Sequence, residues 1–292
     1  MNFSDNKKGT LLALSGILII TPDSLFIRLV EIESWGLVFY RGFLPFIILF
    51  LALFVYYKKN FINSILLIGY AGLLNAFIVA LTNITFIVSL ENTNVANTLI
   101  MLSISPFWAA FLSMIFLKEY PAIRTWIAMI LCFLSVLFIF YDSYTLGRIY
   151  GDFFGLITSF LVGASGVVIR FKKQVDFLPS LMIAKFFTAL FTVFFVQSFY
   201  LKGADIYLIP IMCVFFVTLP LALLTLAPRY IPTYKVTLFF VLETTIGPLW
   251  VWLIINEQPS LNTIIGGLVI IATIFVHTLL EIKYFEKNKK LT

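Results

Sequence analysis

Residues 34–57 read SWGLVFYRGFLPFIILFLALFVYY, a stretch with one formally charged side chain, Arg41. At about 1.5 Å per residue this run makes a helix long enough to cross the ~30 Å hydrocarbon core of a bilayer. Similar runs lie on both sides of it, at 9–29, 64–88, 94–117, 124–141, 150–170, 178–199, 206–228, 234–255 and 261–282. None shows the strict alternation of a membrane β-strand, so the spacing predicts helices. Across all 292 residues 61% are hydrophobic and only 12% charged. A soluble domain carries about a quarter charged residues, so lipid must be the solvent for much of this surface. Ten spans with short connections use up the chain and leave no room for a soluble domain.

Lys and Arg in the connections set the orientation. On the side where the chain begins fall Lys7, Lys8, Lys58, Lys59, Lys118, Arg124, Arg170, Lys172, Lys173, Arg229, Lys235, Lys283, Lys287, Lys289 and Lys290. The opposite side has Arg28, Arg148 and Lys202, while Arg41 and Lys185 sit inside runs. Both termini are therefore expected in the cytosol, in a bacterial-type inner (plasma) membrane. The net charge of +6 is spread over short gaps, which fits membrane flanks and excludes a nucleic-acid stripe. The Lys-rich end is expected to lie against anionic headgroups. Cys132 and Cys213 lie within apolar runs and offer no disulfide or metal framework. The run after Lys7 and Lys8 extends too far for a cleaved signal peptide and lacks a small-residue cleavage site.

The chain also resembles itself. Leu117-Lys118-Glu119-Tyr120-Pro121 matches Ile255-Asn256-Glu257-Gln258-Pro259 at an offset of 138. Gly9 and Gly151 open runs that close on Ile27-Arg28 and Ile169-Arg170, 142 apart, and Arg41 corresponds to Lys185 at 144. Five helices per half is an odd number, so the second half must be inverted. Such inverted repeats suit carriers that exchange two conformations around a midplane site. The expected fold is an all-α integral membrane protein of ten transmembrane helices, with five-helix repeats over 1–145 and 146–292.

Certain segments resemble the drug/metabolite transporter superfamily, in its EamA-like ten-helix branch. In the first half these are Asn94-Val95-Ala96-Asn97-Thr98-Leu99, Ser105-Pro106-Phe107-Trp108 and Leu117-Lys118-Glu119. In the second they are Leu242-Glu243-Thr244, Gly247-Pro248-Leu249-Trp250-Val251-Trp252 and Asn256-Glu257. Thr21-Pro22-Asp23-Ser24 and Tyr40-Arg41-Gly42 look like that group as well. The chain departs from it at Lys118 and Asn256, where the family often has Gly, and at Thr244, where it often has Pro. The resemblance implies a helical basket around a central cavity, alternating access without ATP hydrolysis, and traffic in small metabolites, often outward. No cofactor is implied. The expected partners are a small-molecule substrate and the bilayer. Proton or ion coupling and a monomeric or homodimeric state are both compatible with this reading.

Ionisable side chains inside a span usually face a cavity or a partner. Asp23 and Arg41 share a depth in the first half, and Lys185 and Glu243 share one in the second. Static ion pairs, a cavity wall whose bases meet a carboxylate (amino acids included), and a proton relay through Asp23 or Glu243 all stay open. Ser105, Trp108, Asn97 and Trp250 lie on helical faces next to this region, and Asn75, Thr82 and Asn83 make the third run unusually polar. Pro22, Pro106, Pro220 and Pro248 interrupt spans, and Pro106 and Pro248 are the expected hinges. Glu119 and Glu257 are read as caps on the helices that follow them, and His277 as an interhelical hydrogen-bonder. The rival readings are a polytopic membrane enzyme, a channel, and a non-transporting assembly subunit. The topology has a direct test. Single cysteines in the 57–63 and 171–177 loops should react with a membrane-impermeant thiol reagent only from the cytosolic side, and reaction of loop 171–177 from outside would overturn the orientation.

Overall fold

In lipid every backbone N–H and C=O needs a partner within the protein, which is why long apolar runs fold as helices. The computed structural model of the protein describes residues 3–145 and 148–289, and every regular element among them is helical. Residues 1–2 and 290–292 at the termini, and residues 146–147 of the expected 142–149 loop, lie outside the described residues.

Helices α1 (Phe3–Ile20) and α2 (Asp23–Leu29) form the first run, and α3 (Ser34–Tyr57) the second. Next come α4 (Phe61–Leu67) with α5 (Gly69–Asn92), α6 (Val95–Leu102) with α7 (Ser105–Phe116), and α8 (Ile123–Thr145). They are followed by α9 (Ile149–Phe171), α10 (Leu178–Thr192), and α11 (Asp205–Ile211), which runs through a π-helical segment, Met212–Thr218, into α12 (Leu219–Leu226). The chain ends with α13 (Thr233–Leu238), α14 (Phe240–Ile255) and α15 (Leu261–Lys289). Among the described residues, seven stretches are long and apolar enough to cross a membrane: Lys7–Leu29, Ser34–Leu67, Gly69–Asn92, Val95–Phe116, Ile149–Phe171, Asp205–Arg229 and Thr233–Ile255. Three shorter apolar helices, Ile123–Ser135, Leu178–Thr192 and Ile264–His277, accompany them. The protein is a multi-pass, all-helical membrane protein.

The expected 57–63 loop is largely helical. After Lys58 the chain turns back, and Phe61 at the head of α4 packs its ring on Phe50 and Phe54 of α3, at centroid distances of 5.4 and 5.6 Å. Helix α10 stops at Thr192, short of the 199 expected. Beyond it the chain is drawn to the head of α3 by Gln197 N–H donating to Glu33 and by Tyr40 O–H donating to the Phe199 carbonyl at 2.7 Å.

The helix breaks follow the prolines only in part. Pro22 has no N–H to give the Leu18 carbonyl, and the Thr21 hydroxyl takes that place at 3.1 Å. The Leu18 carbonyl at the break between α1 and α2 is thus satisfied. Pro106 stands in the first turn of α7, and the chain breaks just before it, at Ser103 and Ile104. The π-helical segment immediately precedes Pro220, and there Thr218 Oγ1 donates to the Cys213 carbonyl at 2.6 Å. Pro248 is different. It lies inside α14, which runs on through it, and the break falls at Phe239 instead. The break in this run therefore lies not at Pro248 but nine residues nearer its start, at the α13–α14 junction.

Two non-glycine residues with positive φ, Lys118 and Asn256, both at 55°, sit just past α7 and α14. At a helix C-terminus this left-handed conformation favours Gly, since it crowds a Cβ. Gly would take up this conformation at less cost at both places. Asn tolerates the conformation better than Lys. Lys118→Gly should therefore raise the melting temperature of the detergent-purified protein, by up to about 1 kcal/mol of stability, and Asn256→Gly should give a smaller gain. A drop on Lys118→Gly would show that the Lys side chain contributes more than the strain costs.

Candidate functional site

Call the end of the bundle where α1 starts the near end, and the end holding the α2–α3 turn the far end. Between them, at about the level of Pro22, the break between α1 and α2 puts Asp23 at the head of a new helix, facing α3. Arg41 meets it there. Its Nη1 and Nη2 donate to the two carboxylate oxygens of Asp23 at 2.6 and 2.8 Å, and Nη1 also touches Met212 Sδ at 3.4 Å. Both residues are buried, at 1% and 4% exposure. The expected first-half pair is formed, as a bidentate fork.

This pair floors a cavity of about 140 Å³. Its walls come from α5, α9, the π-helical segment, α12, α13 and the start of α14, and they extend to Pro228 and Thr233 at the near end. Most of the lining is apolar, including Phe86, Val162, Leu221 and Phe240, with Thr82, Thr158, Ser165, Thr225 and Thr237 set among it. Beyond the floor toward the far end, Leu37, Val38, Leu90, Val95, Ile209 and Val251 form close-packed core.

The second half does not repeat the ion pair. Lys185 is fully buried, and its Nζ donates to Asn83 Oδ1 at 2.7 Å rather than meeting Glu243. It lies behind the wall, and Asn83 is the group that faces the cavity. A physical cause is visible at Gly42. A Cβ there would stand 2.5 Å from Ala189 N and 2.8 Å from the Lys185 carbonyl, so α3 and α10 cross in direct backbone contact. Lys185 is thereby held deep between helices. Glu243 is 3% exposed, lines the cavity, and leaves Oε2 without a hydrogen-bond partner. Asn75 lies behind the wall. It donates to Ser180 Oγ at 3.1 Å and accepts from Ser165 Oγ at 2.7 Å, fastening α5, α9 and α10 together.

The other candidates lie away from this cavity. Asn97 is buried on α6, 3.4 Å from Thr93 Oγ1. Ser105 is buried at the head of α7, and Trp108 packs edge-on to Phe107 and Phe160. Trp250 is 40% exposed on α14. His277 meets Thr125 across α8 and α15 at 3.0 Å.

The structure corrects the reading of Glu119 and Glu257 as caps on the helices that follow them. Glu257 Oε2 pairs with Arg28 Nε at 3.1 Å, while its Oε1 accepts the N–H of Val95, the first residue of α6, at 3.0 Å. Arg28 also donates to the Thr93 carbonyl at 2.8 Å. At the near end Glu119 Oε1 takes Arg170 Nε and Nη2 at 3.1 and 3.0 Å, and Arg170 Nη1 reaches the Pro228 carbonyl at 3.3 Å. Sequence reasoning aligned Arg28 with Arg170 and Glu119 with Glu257, but left them on loops. Their similar offsets, 142 for the arginines and 138 for the glutamates, are the sequence signal for this cross-connection.

The EamA-like transporter family model matches residues 7–141. A crystal structure of a protein 12% identical to this chain superposes with a TM-score of 0.69, over 94% of this chain and 98% of its own. At that identity the likeness is one of fold. No curated protein matches the chain. Over residues 7–141, then, this chain is similar to the EamA-like transporter family, a family of membrane transporters of small solutes.

Proposed function

We propose that the protein is a ten-span carrier that moves small metabolites by alternating access between two inverted halves, 1–145 and 146–292. The observation that carries this reading is a cavity open toward one end of the bundle, with related ion pairs at both ends. Helix boundaries recur at the offsets read from sequence. Helix α6 starts at Val95 and α13 at Thr233, and α8 starts at Ile123 and α15 at Leu261, each 138 apart. Helices α3 and α10 start 144 apart, at Ser34 and Leu178, and α2 and α9 end 142 apart, at Leu29 and Phe171. Each ion pair joins one half to the other. Arg28 of the first half takes Glu257 of the second, and Arg170 of the second takes Glu119 of the first.

The two ends differ in a way that suits a carrier caught open on one side. At the far end Glu257 also binds the head of α6. At the near end the counterpart bond to the head of α13 is missing, and both Glu119 Oε2 and the Thr233 hydroxyl lack partners. Closing the near end would bring these groups together while the far-end bond breaks. With both termini in the cytosol of an inner-membrane protein, the open end is cytosolic, the state from which an exporter loads. Amino acids fit this cavity better than simple carboxylates, because Arg41 and Lys185 already have partners.

In a background lacking Cys132 and Cys213, Thr237→Cys at the near end and Thr98→Cys at the far end report which side is open. Losing a charge-assisted hydrogen bond costs about 1.5–3 kcal/mol, roughly ten- to a hundredfold in an equilibrium. Glu257→Gln should therefore raise labelling of Thr98→Cys by an impermeant thiol reagent and lower that of Thr237→Cys. Purified protein in liposomes should also give saturable solute flux. Unchanged labelling at both positions, with no saturable flux, would remove the carrier reading.

A further inference from the structure

The cavity contains one carboxyl, that of Glu243, with an oxygen left unpartnered among the described residues. Glu243 sits in the first turn of α14, and its Oε2 has no hydrogen-bond partner. The charged groups that act on it are Asp23 on α2 and Arg41 on α3, with Lys185 on α10 and Cys213 in the π-helical segment lying beyond them against Arg41. Arg41 commits both terminal nitrogens to Asp23, and Lys185 donates to Asn83. Neither forms an ion pair with Glu243. A buried carboxylate without a partner is strongly unfavourable, so such a group holds a proton or waits for a cation. Around it the wall is aliphatic and aromatic, with the threonine hydroxyls of Thr82, Thr158 and Thr237 within the same cavity.

Resting on the carrier reading above, we propose that the recognised group of the substrate is a protonated amine, which docks on the Glu243 carboxylate while an apolar body fills the rest of the cavity. In the empty cavity Glu243 holds a proton. As the ammonium arrives, that proton leaves to water at the open end, and the pair that forms is charge-balanced. Asp23 and Arg41 stay together as a fixed floor. Amino acids qualify through their amino group, and their carboxylate is secondary.

Three solutes that share one carbon skeleton separate the possibilities: isoamylamine, leucine and 4-methylpentanoate. They carry the amine alone, both groups, and the carboxylate alone. Binding to the full-length protein in detergent is measured by calorimetry. Isoamylamine and leucine should bind, 4-methylpentanoate should not, and Glu243→Gln should weaken isoamylamine at least tenfold. Glu243→Asp, which keeps the charge, should retain part of the affinity, and a merely structural role for Glu243 would not produce that order. Tighter binding of 4-methylpentanoate than of isoamylamine, an amine affinity untouched by Glu243→Gln, or no binding by any of the three overturns the assignment. Thr98→Cys labelling monitors alternation without any substrate. Intact alternation alongside a failed amine test therefore removes only this assignment, whereas loss of both removes the carrier reading as well.

Discussion

An acid and a base at mid-depth in an apolar bundle are each costly to take out of water, and Asp23 and Arg41 are tolerated there because each completes the other. The bidentate geometry supplies two charge-assisted bonds in one plane. Removing either partner would leave a buried charge, a loss of about 3–5 kcal/mol. The pair exists because the chain breaks at Pro22, where the Thr21 hydroxyl replaces the missing amide, and Asp23 restarts the helix facing α3. Hence the floor of the cavity, its depth and its separation from the packed far end all depend on that one contact. It also uses up the guanidinium. A cation that already satisfies a carboxylate is poorly placed to capture a second one.

The asymmetry of the cavity follows from what the two halves place at related positions. Position 165, 142 beyond Asp23, holds Ser, so Lys185 has no counterpart acid and is satisfied by Asn83 instead. Position 105, 138 before Glu243, also holds Ser, so the second half contributes an acid that the first does not mirror. In the proposed inverted arrangement the scaffold is nearly symmetric while its charges are not. In the proposed cycle symmetry would serve the exchange of conformations, and the departures from it would give the cavity a chemical preference.

Much of this was legible in the sequence. Apolar runs gave α3 its bounds at 34 and 57, because a change from lipid-soluble to polar side chains is a sharp physical boundary. The depth of Asp23 and Arg41 also gave their contact, since two charges at one level in lipid have few other options. Other features were not legible. A proline marks a missing hydrogen bond but does not fix where the chain bends, which is why the break lies at Phe239 while α14 runs through Pro248. Glu119 and Glu257 read as local caps because only neighbours in sequence could be weighed. Their real partners, 51 residues away at Arg170 and more than 200 away at Arg28, come from helix packing. Lys185 and Glu243 share a depth in sequence, yet depth says nothing of direction around a helix, and the close crossing at Gly42 turned Lys185 behind the wall.

The ties at the two ends also bound how such a protein can work. Moving a two-state equilibrium from 1:99 to 99:1 takes about 5.5 kcal/mol of differential affinity, so a carrier that a small solute can turn must have ends of similar strength. Here both ends use the same chemistry, one Arg–Glu pair across the halves plus a carbonyl accepting from the same Arg. The bond from Val95 N–H to Glu257 has no counterpart at the near end, and in the proposed cycle the unpartnered Glu119 Oε2 and Thr233 hydroxyl would offer its replacement as the near end closes. One such bond made and one broken leaves a small residual difference. The occupant of the cavity can then decide the balance, and the group with the largest unmet demand for a partner there is the Glu243 carboxyl.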